Sequence, residues 1–259
     1  GQDIPTAART LSPGVGIPAP FLEVAMRRQA YGVRPLDAAI VAEQQRIEPA
    51  CLARQRAFHA QRYAQALEDA FLALDTQLIE DVLGADARFV GCTALVALRV
   101  RRRLFVASAG DARCLLLRRD ASVYQMSGEH KPDLRGEAAR IYAGGGVVLG
   151  GRVLENLNLS RALGDLQYKR NPLLSPAEQI ISARPDVVEK ELEADDAFLL
   201  LGCDGLFEVL GDAELHAALA DCAPGSEGRA LAGVLRKTVA VGAVSPNGRD
   251  NITAVLVRL

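Results

Sequence analysis

FLLLGCDGLFEVL, Phe198–Leu210, ends a run of apolar residues on a single carboxylate, Asp204. The run has the length of one buried strand. An acid on the shoulder of such a strand is costly unless something pairs with it. Three partners are open to Asp204: a metal ion, a basic side chain, or a helix beginning at GLFEVL, where it would act as a cap.

Downstream, DAELHAALADC and EGRALAGVLRKTVAVGA read as helices, and NITAVLVRL returns to a strand. Upstream, TALVALRV, RLFVASAG and ARCLLLRR are short apolar or alternating runs separated by turn residues, the pattern of β-strands. The cluster Arg99, Arg101, Arg102 and Arg103 falls between two of these runs and reads as a solvated hairpin connection. EAARIYAGGG is a short helix stopped by glycine. YAGGGVVLGG lacks the Lys-Ser/Thr of a phosphate-binding loop, so its glycines read as turn residues.

Before Gly84 the texture changes. HAQRYAQALEDAFLALDTQLIEDVL spaces Tyr63, Leu67, Phe71, Leu74 and Leu78 at threes and fours, which predicts an amphipathic helix. Pro35 and Pro49 are expected to start or break shorter helices ahead of it. Residues 1–20 are rich in Pro and Gly and read as irregular. Strands and helices are grouped rather than strictly alternating. The expectation is one α+β domain over 1–259 with mostly antiparallel sheets, helical over 21–84 and with a sheet core over 85–259.

Composition narrows the function. Of 259 residues, 49% are hydrophobic and 24% charged, the net charge is −2 and the pI about 6.0, which favours neither nucleic acid nor an anionic membrane. No apolar stretch is long enough to span a bilayer, and no signal-peptide pattern opens the sequence. Gly1 is followed by Pro5 where a myristoylation signal requires Ser or Thr, so the start reads as trimmed. The five cysteines are odd in number, form no CxxC pair and are mostly flanked by apolar residues. Reduced, buried thiols in an intracellular protein, cytoplasmic or nuclear, are expected. His59, His130 and His216 show no zinc-ligand spacing, and there is no GxSxG elbow.

Carboxylates remain. Asp111 in ASAGDARC, Asp165 in NLNLSRALGD, Asp204 after LLLGC and Asp250 in DNITAVLV each stand at a strand end or sharp turn beside Gly or Asn. Acids at rigid strand ends are how oxygen-ligated cations are gathered from distant parts of a chain. Singly, each is read as well as a turn Asp or a helix cap.

GCTALVALRVRRRLFVASAGDARCLLL, EHKPDLRGEAARIYAGGGVV, GRVLENLNLSRALGD, ARPDVVEKELEADDAFLLLGCDGLFEVL and DNITAVLV, in this order from about Ala66 onward, resemble the successive motifs of the metal-dependent type 2C Ser/Thr protein phosphatases. The resemblance implies a four-layer α-β-β-α sandwich of two antiparallel sheets flanked by helices. It also implies a binuclear Mg²⁺ or Mn²⁺ centre, where a metal-bridged water attacks the phosphomonoester of a phosphoprotein. By motif position it makes Asp204 and Asp250 metal ligands, links Asp111 to an additional metal and gives Asp165 a structural part. Glu208 stands where the family usually carries Asp.

The family's opening motifs are not matched. No Asp-Gly-His-Gly-Gly occurs in the sequence, and counting back from Glu23 in FLEVAMRRQAYG puts Ile17 at the bridging Asp and Ala19 at the general acid. Asp3 and Arg9 do not reproduce the first strand's motif. The expectation is a degenerate, pseudophosphatase-like chain with altered or truncated N-terminal strands and an incomplete binuclear site. No catalytic residue is assigned, and the chain is read as a monomer that engages a protein partner. The alternative is an active Mg²⁺- or Mn²⁺-dependent phosphatase.

Overall fold

The computed structural model describes residues 38–81, 89–242 and 250–259. The irregular segment expected over 1–20, the helical start over 21–37 and the positions Ile17, Ala19 and Glu23 lie outside them. By internal contacts the chain divides into Gly1–Ala57 and Phe58–Leu259.

Of the first unit, the described part is the beginning of helix α1, Ala38–Asp81. Pro49 lies inside this helix, where the start or break of a shorter helix was expected. A proline there forfeits one backbone hydrogen bond and costs about 3 kcal/mol. Good helix formers on both sides, AAIVAEQQRIE before and ACLARQRA around and after it, carry the helix past that single defect.

In the second unit the β-rich text folds as two antiparallel sheets. One has the order β2-β3-β9, from Ala94–Val100, Arg103–Ala109 and Asp186–Glu191. The other has the order β11-β10-β4-β5, from Ala254–Arg258, Asp196–Gly202, Arg113–Arg118 and Val123–Gln125. Strands β2 and β3 join through Arg101 and Arg102, with Arg101 at φ 56°, so the arginine cluster is the solvated hairpin connection expected. Two short ladders complete the described strands: β1 (Gly91–Cys92) with β8 (Leu163–Gly164), and β6 (Val148–Leu149) with β7 (Arg152–Val153).

Alternation along β3 and β4 builds the layers. Leu104 and Val106 pack between the sheets with Cys114, Leu116, Met126 and Leu199. Ala107 and Ala109 face the other way, with Phe71 of α1, Leu163 and Ala183, and Tyr63 stacks 5.5 Å from the Phe105 ring. Leu115, Leu117, Phe198 and Leu200 form the outer face of the second sheet. They are covered by Leu215 and Leu219 of α4 (Asp212–Leu219) and Val234 of α5 (Glu227–Gly242). The succession is α1, sheet, sheet, then α4 and α5: the α-β-β-α sandwich. Strand β10 is interior to its sheet, and each fully buried Leu on it contributes roughly 1.5–3 kcal/mol.

The helical periodicity needs one correction. Leu74, expected on the buried stripe of α1, is exposed, and Asp75 is buried instead. Steps of four from Phe71 place Asp75 inward, where Lys169 compensates its charge. The thiols need another. Among Cys92, Cys114, Cys203 and Cys222, Cys114 alone is buried, while Cys92 is exposed on the short strand β1 and Cys203 and Cys222 are half-buried. None is in a disulfide.

Among the described strands, β11 lies at the edge of its sheet. Val255 and Val257 pair with Leu201 and Leu199 and share their inter-sheet face. They nevertheless stay 52% and 42% exposed, so among the described residues the sandwich is not closed there.

Candidate metal centre

The acids gather at one end of the sandwich because the strand ends are tied together. Cys203, directly after β10, donates its N–H to Thr253 O (3.1 Å), and its Sγ accepts the Thr253 N–H (3.2 Å). Its thiol also donates to Asn251 O at 3.2 Å. These bonds clamp the entry to β11 against the exit from β10 and bring Asp250 toward Asp204. Gly205 permits the approach: a Cβ there would lie 2.5 Å from Asn251 O and 3.4 Å from the Asp250 Cβ.

Asp204 is the first residue of the short helix α3, Asp204–Phe207, and not its cap: Cys203 holds the cap position, with no side-chain capping bond. The Asp204 Oδ1 accepts the Gly205 N–H at 2.9 Å. Asp250 accepts the Asn251 N–H at 2.7 Å, a turn bond. Glu208 caps α3, its N–H donating to Asp204 O at 2.8 Å.

Asp111 is brought in by a second clamp. Gly110, at φ 118°, ends β3 in a conformation that favours glycine. Its N–H donates to His130 Nδ1 at 3.1 Å, and the His130 N–H donates to Gly110 O at 3.0 Å. The buried imidazole thus pins the 129–131 segment beside Asp111, and Lys131 Nζ donates to Asp111 Oδ2 at 2.5 Å.

The electrostatics follow from this gathering. Burial, then the charge of Asp111 and that of Asp250, push Asp204 above the usual carboxylate range, against the Gly205 N–H and Lys131. Burial and then the charges of Asp204, Asp250 and Asp111 raise Glu208, opposed by Lys131. Burial pulls the Lys131 ammonium down, but its bond to Asp111 and the charges of Asp111, Glu129 and Asp204 outweigh that and leave it raised. Asp111, Asp204, Glu208 and Asp250 therefore lie in one another's field. Among the described residues, however, no three His, Cys, Asp or Glu side chains are arranged to hold a metal ion.

Asp165 belongs elsewhere. It sits at φ 53° with its carboxylate over Gly91, and burial raises it while Lys169 opposes. Lys169 Nζ bonds both Asp75 oxygens (2.7 and 2.8 Å) and Ala162 O (2.8 Å), and the Gly164 N–H donates to Asp75 Oδ1 at 2.8 Å. This knot ties α1 to the loop around β8.

The sequence did not single out Lys131, and His130 was noted only for lacking zinc-ligand spacing. EHKP was read as part of a longer motif, and the signal inside it is a histidine and a lysine fixed by a following proline. Nor did the sequence single out Glu137 on α2 (Arg135–Ala143), which lies between Arg140 and Arg161.

The sequence profile of protein phosphatase 2C matches residues 33–241. The chain therefore belongs to the protein phosphatase 2C family, whose members are metal-dependent Ser/Thr phosphatases that work with Mg²⁺ or Mn²⁺. "Probable protein phosphatase 2C 2" of Paramecium tetraurelia is 41% identical over 224 residues, spanning 80% of this chain and 74% of the relative. Among solved structures, a phosphatase from Toxoplasma gondii superposes with a TM-score of 0.60 at 25% identity, over 73% of this chain and 72% of that one. The serine-threonine phosphatase 2C of the same organism gives 0.66 at 20% identity, over 91% and 74%, a likeness of fold. No helix among the described residues is long and apolar enough to cross a membrane.

Proposed function

We propose that this chain is a protein phosphatase 2C-type domain with impaired hydrolysis. It acts as an intracellular binding or regulatory module toward a protein partner, with at most a residual cation site at Asp204 and Asp250. The observation that carries this reading is in the sequence: counting back from Glu23 puts Ile17 and Ala19 where the family's bridging Asp and general acid stand. The same 259 residues contain no Asp-Gly-His-Gly-Gly. Groups that act as one catalytic unit are not lost additively; removing one member typically lowers turnover by orders of magnitude. Among the described residues no set for a binuclear centre is brought together, and no hydrolytic step is assigned to them.

A second reading, an active phosphatase, is favoured by the shared field of Asp204, Asp250, Asp111 and Glu208 and by the names of the relatives. Hydrolysis of a phosphothreonine peptide and of an aryl phosphate in excess Mn²⁺ separates the two. Impairment predicts no turnover above that of Asp204→Ala. Metal-dependent turnover that Asp204→Ala abolishes would overturn it.

A further inference from the structure

We propose that the open cavity between α1 and α2 is a docking groove for an acidic peptide segment of a protein partner. This names a surface for the partner proposed above and rests on that binding role, but not on the state of the acidic end, since the groove uses none of Asp111, Asp204, Glu208 and Asp250.

The cavity measures about 720 Å³, within the size range of ligand sites. Its lining includes Gln61, Gln65 and Glu68, one face of α1, together with Arg140 of α2, Arg161 and Arg184. Buried charge is not balanced within it. Arg140 and Arg161, with side chains 15% and 14% exposed, share one buried carboxylate, Glu137. The second acid on Arg161 is Asp186, at 2.6 Å, which is 56% exposed and also lies 3.2 Å from His130 Nε2. Burial pulls the Arg140 guanidinium down, and Glu137 opposes this without restoring it. Low-dielectric walls focus the field of such cations into a cleft. Donors remain as well. Arg140 gives one bond each from Nε, Nη1 and Nη2, to Gln179 O, Glu137 and Ser160 O, so both terminal nitrogens keep an N–H with no acceptor among the described residues.

The rim carries an exchangeable partner. Arg184 Nε lies 2.8 Å from Glu68 Oε1, but Arg184 is 52% exposed, so the pair is weak and a carboxylate of the ligand can take the place of Glu68. A peptide suits the groove better than a lone anion, because the cations are spread from buried Arg140 to exposed Arg184 and the exposed amide of Gln61 matches a peptide backbone.

The test is fluorescence anisotropy of a labelled peptide that alternates Glu and Val, titrated with the full chain; in extended form it presents its acids on one side. Wild type is expected to bind it, and to bind the matching Gln-Val peptide at least about tenfold more weakly. Arg184→Glu is expected to cost at least about tenfold, while Glu68→Gln removes the competing acid and is expected to strengthen binding about threefold. Glu155→Gln makes the same change of charge on an exposed turn outside the groove and is expected to leave the affinity unchanged. No binding by wild type up to about 1 mM, equal affinity for the two peptides, or an Arg184→Glu affinity within about twofold of wild type would overturn the groove. Should Arg184→Glu not fold, the other two variants decide, and equal gains from Glu68→Gln and Glu155→Gln refute it. Free glutarate that displaces the peptide at the peptide's own dissociation constant would replace the peptide occupant by a small dicarboxylate. Turnover in excess Mn²⁺ overturns only the impaired-hydrolysis reading, so the two failures are distinct.

Discussion

Glu137→Gln removes one charge from a buried junction while keeping its shape. In the native protein Glu137 Oε2 accepts from Arg140 Nη1 (2.7 Å) and Ser160 Oγ (2.5 Å), and Oε1 accepts from Arg161 Nη2 (2.7 Å). Burial alone would raise this acid, but its bonds to Arg161 and Ser160 and the two guanidinium charges win, holding it down from 4.5 to about 2. A carboxylate whose folded pKa is depressed adds stability above its unfolded pKa and loses it as pH falls through the folded one. The contribution is therefore complete at neutral pH and disappears between roughly pH 4.5 and pH 2. At about 1.36 kcal/mol per unit the ceiling is about 3.4 kcal/mol, and solvent screening reduces it to roughly 2–3 kcal/mol. For a unit of this size that is about 4–12 °C in melting temperature at pH 7. Melts of wild type and Glu137→Gln by circular dichroism, taken from pH 7 to pH 3, measure it. A gap of less than about 2 °C at pH 7, or one that does not narrow at pH 3, would refute the reasoning.

The Asp75–Lys169 knot gives a second expectation. Lys169→Met strands the buried Asp75 carboxylate with only the Gly164 N–H, at a cost of about 3–5 kcal/mol by urea denaturation; a loss below about 1 kcal/mol would show that Asp75 finds another partner. A third concerns thiol reactivity. Burial pushes Cys114 up to about 12, so native-state alkylation read by mass spectrometry is expected to spare it while labelling Cys92; equal labelling of the two would contradict the packing between the sheets.

What the sequence determined by itself is the part written in local chemistry. Period-two alternation in RLFVASA and ARCLLLR, apolar length in AFLLLG and helical spacing around Phe71 name the strands and helices. The side chains that repeat at those periods are the ones that must leave water. The acids were legible too, because Gly-Asp and Asp-Asn at strand ends mark turns wherever they occur.

The tertiary structure alone decided which charges meet. Lys131 and Asp111 are 20 residues apart, Lys169 and Asp75 are 94, and Arg161 and Glu137 are 24. No local pattern records such pairings, since a buried charge is admitted only when the fold delivers its opposite from elsewhere in the chain. For the same reason Asp75, rather than Leu74, turns inward on α1. The answer for Asp204 has the same origin: it starts a helix, as its sequence allows, and the clamps at Cys203 and His130 set it among acids whose nearest compensating charge is a lysine.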